Sequence, residues 1–155
     1  MLDAVMKKLI TEHSAGMVAT IDEQGLPAVS PKATFVIIDD STLAFGHIRS
    51  PGTVGNLVAR PAVQVCFLDP IRRKAVRVSG HGTAIEKANA DQALLSAFEK
   101  NWSPYLHAVK AFVVIKLTRV EMILSPAYDL GLTEAELVVT NLAKLNALRN
   151  TEAPD

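Results

Sequence analysis

Leu2, Val5, Met6, Leu9 and Ile10 recur at helical intervals, so residues 2–12 predict an amphipathic helix that stops near His13, Ser14 and Gly16. From there the period changes to two. Residues 17–22 read as a strand, Glu23, Gln24 and Gly25 as a hairpin turn, and residues 28–38 as one long second strand. Asp39, Asp40 and Ser41 turn into a third strand over 42–48. Ser50 as N-cap and Pro51 at the first helical position then start a short helix that ends near Arg60, before Pro61. Val63, Val65 and Phe67 alternate as a fourth strand; the turn at 69–73 leads to a fifth over 75–85, and a sixth runs over 112–123. Residues 87–100, rich in good helix formers, predict a helix between strands five and six, with 101–107 irregular or a second short helix. Thr133 begins a closing helix to about residue 150, whose Leu137, Leu142, Leu145 and Leu148 are expected to pack on the chain's own barrel before a frayed 151–155.

Strands joined mainly by hairpins argue against a parallel sheet with alternating helices. The expectation is one mainly β domain over 1–155: a six-stranded antiparallel barrel with flanking helices, closed so that no edge is left unpaired. On the second strand Val29, Ala33, Phe35 and Ile37 form the predicted core face, while Ser30, Lys32 and Thr34 begin the other. On the fifth, Val76, Val78 and Gly80 alternate with Arg77, Ser79, His81 and Thr83. Leu68 and Ile115, read as outer apolar positions of strands four and six, favour a buried dimer face.

The chain has 155 residues, 49% of them hydrophobic, and its 16 basic side chains balance 16 acidic ones. That balance leaves no nucleic-acid footprint or polybasic membrane patch, so any bound anion must be held by a local cluster. The lone Cys66 excludes an internal disulfide and a multi-cysteine zinc site and reads as a small hydrophobe. With no long apolar run and no signal-peptide pattern, the chain is expected to be cytoplasmic. His13, His47, His81 and His107 lack paired ligand spacing, and no metal is expected. His47 and His81 fall on predicted strands and could each donate a proton. Trp102 and Tyr105 could cap a ring from a loop, although packing beneath that loop is favoured.

The helix start at Ser50 is the candidate chemistry. Its first N–H groups lack partners within the helix and the dipole is positive there, with Arg49 just before it and the Thr53 hydroxyl one turn in. These groups could cradle a phosphate. No Walker-type or dinucleotide-binding glycine loop surrounds Gly52 and Gly55.

Six short stretches follow in order: Met17-Val18-Ala19-Thr20-Ile21 with Gly25-Leu26-Pro27, Ser30-Pro31-Lys32 to Phe35, Leu43-Ala44-Phe45, Ser50-Pro51-Gly52-Thr53 with Asn56-Leu57, Arg60-Pro61-Ala62-Val63, and Val76-Arg77-Val78-Ser79-Gly80. Together, over roughly residues 5–125, they resemble the FMN-binding split-barrel family, the pyridoxamine 5'-phosphate oxidase-like proteins. The resemblance implies a homodimer with FMN in clefts between the subunits. It implies a phosphate held by Ser30, Lys32 and Thr34 with Arg49, Ser50 and Thr53. It also implies that the backbone of Gly46, His47 and Ile48 runs beside the flavin ring, with Asn56 tying loop to helix. The Arg-Leu-x-Pro ending of the pyridoxamine phosphate oxidases proper is replaced by Ile123-Leu124-Ser125-Pro126, which argues against vitamin B6 oxidation. The reading is therefore an FMN-dependent oxidoreductase of undefined small-molecule substrate. Alternatives are a non-catalytic electron carrier or redox sensor, or a split barrel that takes haem or a deazaflavin.

Overall fold

A computed structural model describes residues 1–149; the expected fraying of 151–155 lies outside the described residues. Asp3 caps helix α1 (Ala4–Glu12) by accepting the Met6 N–H at 2.8 Å, and Leu9 and Ile10 point into the core. Strands β1 (Gly16–Ile21), β2 (Pro27–Lys32), β3 (Phe35–Asp39) and β4 (Thr42–His47) lead to helix α2 (Pro51–Ala59). Strands β5 (Ala62–Asp69) and β6 (Lys74–Glu86) form a long hairpin. A 3₁₀ turn (Lys87–Asn89) and helix α3 (Gln92–Leu106) precede β7 (Ala111–Leu124), and α4 (Glu134–Arg149) closes the described chain.

The seven strands form one antiparallel sheet in the order β2-β1-β5-β6-β7-β4-β3. Two expectations are corrected here. The second strand is two strands, broken at Ala33 and Thr34, so the described residues hold seven rather than six. Those two pieces occupy opposite ends of the hydrogen-bonded order, so the barrel is not closed by pairing: only the covalent link between β2 and β3 joins its ends. The chain is a split barrel.

The split decides which face of β2 is buried. Ser30 and Lys32, on the side that faces α2, are half-buried, whereas Val29 is 59% exposed, which reverses the expected core face of this strand. The register sets Ser30 opposite the buried Val18 of β1, so the polar side of β2 continues the inner face of the sheet at its open end.

Inside the barrel Phe35, Phe45 and Phe67 pack with ring centroids 5.3 and 4.8 Å apart, among Leu43, Val65, Val76, Val78, Val113 and Ile115. Full burial of each large side chain contributes about 1.5–3 kcal/mol. Ile115 belongs to this inner cluster and is not an outer position, because the run from Phe112 to Ile115 is apolar on both faces and alternation cannot orient it. A second cluster lies outside the sheet, where Leu94 and Phe98 of α3 cover Val36, Ala44 and Phe112; the Phe98 and Phe112 centroids are 4.5 Å apart. Helix α3 starts at Asp91, which accepts the Leu94 N–H, and kinks at Trp102, just before Pro104. The Trp102 indole donates to the Phe35 carbonyl at 2.9 Å, which pins the kink to β3, while Tyr105 stays half exposed.

The closing helix packs less than expected. Only Leu137 and Asn141 of α4 are buried, while Leu142, Leu145 and Leu148 remain exposed. It is held instead by polar groups around the β5–β6 turn. Asp69 accepts N–H bonds from Ile71 and Arg72, Arg72 and Lys74 pair with Glu134, Asn141 donates to the Ile71 carbonyl, and Tyr128 donates to that of Arg72. Burial alone would raise the Asp69 carboxyl, but hydrogen bonds from Arg72 and Ile71 outweigh it and hold its pKa below the usual value. No helix among the described residues is long and apolar enough to cross a membrane.

Candidate functional site

Helix α2 lies across the open end of the sheet, anchored by Leu57 in the core and by Asn56, whose amide donates to the Thr20 hydroxyl at 3.0 Å. Asn56 therefore ties the helix to β1. This placement brings Thr53 over β2, where its hydroxyl lies 3.2 Å from that of Ser30, and the Lys32 ammonium donates to Ser30 at 2.5 Å. Ser30, Lys32, Arg49 and Thr53 line one hollow of about 300 Å³ with Ala28, Val29, Gly52 and Asn56.

The hollow carries positive charge without a counter-charge. Neither Lys32 nor Arg49 has a carboxylate partner among the described residues. Partial burial lowers the Lys32 pKa, because the ammonium loses water without gaining a counter-charge. At the head of α2 the Ser50 side chain makes no capping bond, and the first backbone bond back to it comes from Val54. The N–H groups of Gly52 and Thr53 therefore have no internal acceptor. A side chain at Gly52 would meet nothing within 4 Å, so that amide is approachable. Gly52, Asn56 and Ala28 line the hollow but were not foreseen; open helix N–H groups at Gly52 were the only signal in the sequence.

The other nominated residues lie elsewhere. The Thr34 hydroxyl donates to the Gly46 carbonyl at 3.0 Å and accepts the Gly46 N–H at 3.1 Å, so these two residues fasten β3 to β4 rather than line the hollow. A Cβ at Gly46 would meet Val109 at 3.0 Å, Thr34 at 3.3 Å and Phe98 at 3.5 Å, so protein atoms already fill the room a side chain would take. Ile48 is half-buried against the α3 cluster. His81 is exposed on β6, in a separate hollow of about 420 Å³ beside Ile21, Gln64 and Ser79.

His47 ends β4, and its Nδ1 accepts the Ser50 N–H at 3.0 Å, which leaves Nε2 as the donor. Its pKa is lowered, first by burial and then by the nearby positive charges of Lys110 and Lys32. Because the folded state resists this proton, the stability His47 contributes is complete above the ordinary value of 6.5 and is lost as pH falls from there through the lowered value. In a ring-proton NMR titration His47 is expected to titrate below the ordinary range, and inorganic phosphate is expected to raise it. A ring that titrates normally and ignores phosphate would move the anion site elsewhere.

Residues 2–124 match the pyridoxamine 5'-phosphate oxidase family. The chain belongs to it. Among solved structures, Group A Streptococcus HupZ superposes with a TM-score of 0.70 at 26% identity, covering 81% of this chain and 96% of HupZ. An F420 reductase shares the fold at TM-score 0.61 and 20% identity, covering 77% of this chain and all but a fraction of that one, 98%. An FMN-binding protein from Syntrophomonas wolfei shares it at 0.64 and 15% identity, over 76% of this chain and 83% of that chain. A search of curated proteins finds no match to the chain. The matched span ends at the last residue of β7, so the segment that carries α4 lies beyond it.

Proposed function

We propose that this chain is a cytoplasmic FMN-dependent oxidoreductase of small molecules, working as a homodimer with flavin between its subunits. The observation that carries the reading is the hollow at Ser30, Lys32, Arg49 and Thr53. It offers two hydroxyls, two cations without a counter-charge among the described residues and two open helix N–H groups to one hollow. FMN ends in such a phosphate, and a protein of the same fold is an FMN-binding protein. Bound flavin supplies hydride or single-electron transfer. The chain's own residues would hold it: Ser30, Thr53 and the Gly52 amide would donate to the phosphate, and Lys32 and Arg49 would neutralise it. A deazaflavin cofactor is the second reading, favoured by the F420 reductase among the fold neighbours. Reconstitution with each cofactor, followed by absorption spectra and mass spectrometry of the released ligand, tests both. About one FMN per chain is expected, and no retained flavin would remove the first reading. Turnover with NADH or NADPH then separates an enzyme from an electron carrier.

The dimer face follows from what α3 leaves uncovered. On the outside of β1, β2 and β5 the register sets Met17 beside Pro31 and Cys66, and Met17, Val29 and Leu68 are 48%, 59% and 55% exposed. Exposed apolar side chains gathered on one sheet face favour an interface there. Val29→Asp and Met17→Asp are each expected to turn a dimer into a monomer by light scattering, since pairing would bury the new charge. A variant that keeps the dimer mass would exclude this face.

A further inference from the structure

On the far side of α2 from the phosphate hollow lies a second, larger cleft of about 870 Å³. Val54 and Val58 point into it, while Thr53 and Asn56 face the hollow; at 100° per residue the two pairs project roughly 150° apart around the helix. The cleft is lined otherwise by the end of β6, the 3₁₀ turn and the segment from His107 to Ala111.

Its walls are apolar: Val54, Val58, Ala84, Ala88, Val109 and Ala111. Val58 is 76% exposed, unusual for a branched apolar residue on a helix whose neighbour Leu57 is buried. Its rim is mainly cationic. Lys110 and His107 are both exposed and have no carboxylate partner among the described residues. The Lys87 ammonium is tied to the Leu106 carbonyl, and Glu86 is the single acid on the lining. The remaining titratable group is His47, whose Nδ1 is taken by Ser50 and whose Nε2–H is left to donate.

An apolar trough rimmed by the unpaired Lys110 ammonium and by the His107 imidazole, which can donate a hydrogen bond, suits an amphiphilic anion. A neutral ligand would leave Lys110 and His107 unused, and a small polyanion would waste the walls. We propose that this cleft binds a small molecule with an apolar body and one carboxylate, its acid group held by Lys110 and His107 and its body against Val54, Val58 and Ala84. The site is separate from the phosphate hollow and does not depend on the identity of the cofactor.

The test uses 2-naphthoate and its uncharged counterpart 2-naphthalenemethanol on the intact protein, followed by amide chemical shifts in NMR. Naphthoate is expected to shift Val54, Val58 and Lys110 saturably, and to bind more tightly than the alcohol. Because Lys110 and His107 are exposed, the advantage is modest, roughly three- to ten-fold. Lys110→Ala with His107→Ala is expected to erase that advantage without weakening the alcohol, and Val58→Glu to abolish binding of both. The double variant removes only exposed side chains, so folding is not at issue. Shifts confined to the outer sheet face at Met17 and Val29, equal binding of acid and alcohol, or a double variant that keeps the advantage would overturn the proposal.

Discussion

Lys32→Ala is expected to weaken FMN binding roughly ten- to a hundred-fold and to leave riboflavin nearly unchanged, because a charge-assisted hydrogen bond is worth about 1.5–3 kcal/mol. The difference arises from what the side chain does before any ligand arrives. Lys32 is partly desolvated at the open end of the sheet and, among the described residues, is bonded only to Ser30 and the Pro31 carbonyl and has no carboxylate partner. A dianion restores the charge balance that burial took away, so the ammonium gains more from phosphate than a fully hydrated lysine would. Arg49 is exposed, and Arg49→Ala should cost FMN less, with an effect that shrinks more steeply in salt. Ser30 and Thr53 support each other across 3.2 Å, so removing either hydroxyl also loosens its partner; the Ser30→Ala/Thr53→Ala pair should be less than additive. Fluorescence titrations with FMN and riboflavin at fixed ionic strength measure Lys32→Ala, Arg49→Ala, the two single hydroxyl variants and their pair. An equal loss for both ligands would mean that Lys32 shapes the fold or the ring site, and no loss would mean that the phosphate sits elsewhere.

Most of the secondary structure was legible because the signals are local. The change of period after Gly16, Pro51 at a helix start and Pro61 past its end each act within a few residues, and the observed bounds of α1, β1 and α2 fall close to those expected. What could not be read depends on which surfaces meet. The alternation through residues 28–38 carries no mark of the break at Ala33 and Thr34, because the break exists to send β2 and β3 to opposite ends of the sheet. For the same reason Val29 read as part of the core face, opposite the polar face of Ser30, when Ser30 is half-buried beside α2 and Val29 is 59% exposed. Strand β4 is buried on both faces from Thr42 to Gly46 because α3 packs outside it, which only the tertiary fold reveals.

The candidate site shows the same division. Ser30, Lys32, Arg49 and Thr53 come together from two distant stretches. Thr34 and Gly46 read as site residues by position and are taken up in the β3–β4 connection, where the Thr34 hydroxyl bonds both backbone groups of Gly46 and the Gly46 N–H also reaches the Thr34 carbonyl at 3.2 Å. The second cleft left no signal in sequence, because its lining draws single residues from α2, β6 and the approach to β7.

Gly80→Ala is expected to be the most damaging single substitution of a glycine, destabilising the fold by about 3 kcal/mol or more, beyond the usual range for an overpacked core. Gly80 sits where the β6–β7 pairing shifts: Ser79 lies opposite Arg119, Gly80 opposite Leu117, and Thr118 bulges between. The bulge drives the β7 backbone against Gly80, and a Cβ there would lie 2.1 Å from the Lys116 carbonyl oxygen, 2.9 Å from its carbon and 3.1 Å from the Leu117 Cα. These are ladder atoms with no rotamer to change, so relief requires the two strands to part at the longest pairing in the sheet. Gly82→Ala, two residues on, is the control, since its Cβ would meet side-chain atoms alone, the two terminal methyls of Leu57 at 3.1 Å and a Val113 methyl at 3.5 Å, and the Leu57 methyls can turn aside. In α2, Gly52→Ala and Gly55→Ala would meet nothing within 4 Å and should each stabilise the helix by about 0.5–1 kcal/mol. For a chain of this size 1 kcal/mol moves Tm by roughly 2–4 °C. Thermal unfolding followed by circular dichroism should therefore rank Gly80→Ala far below Gly82→Ala, with both α2 variants at or above the parent. If Gly80→Ala melts no lower than Gly82→Ala, β7 does not press on β6 at the bulge and this account of the barrel's tightest seam is wrong.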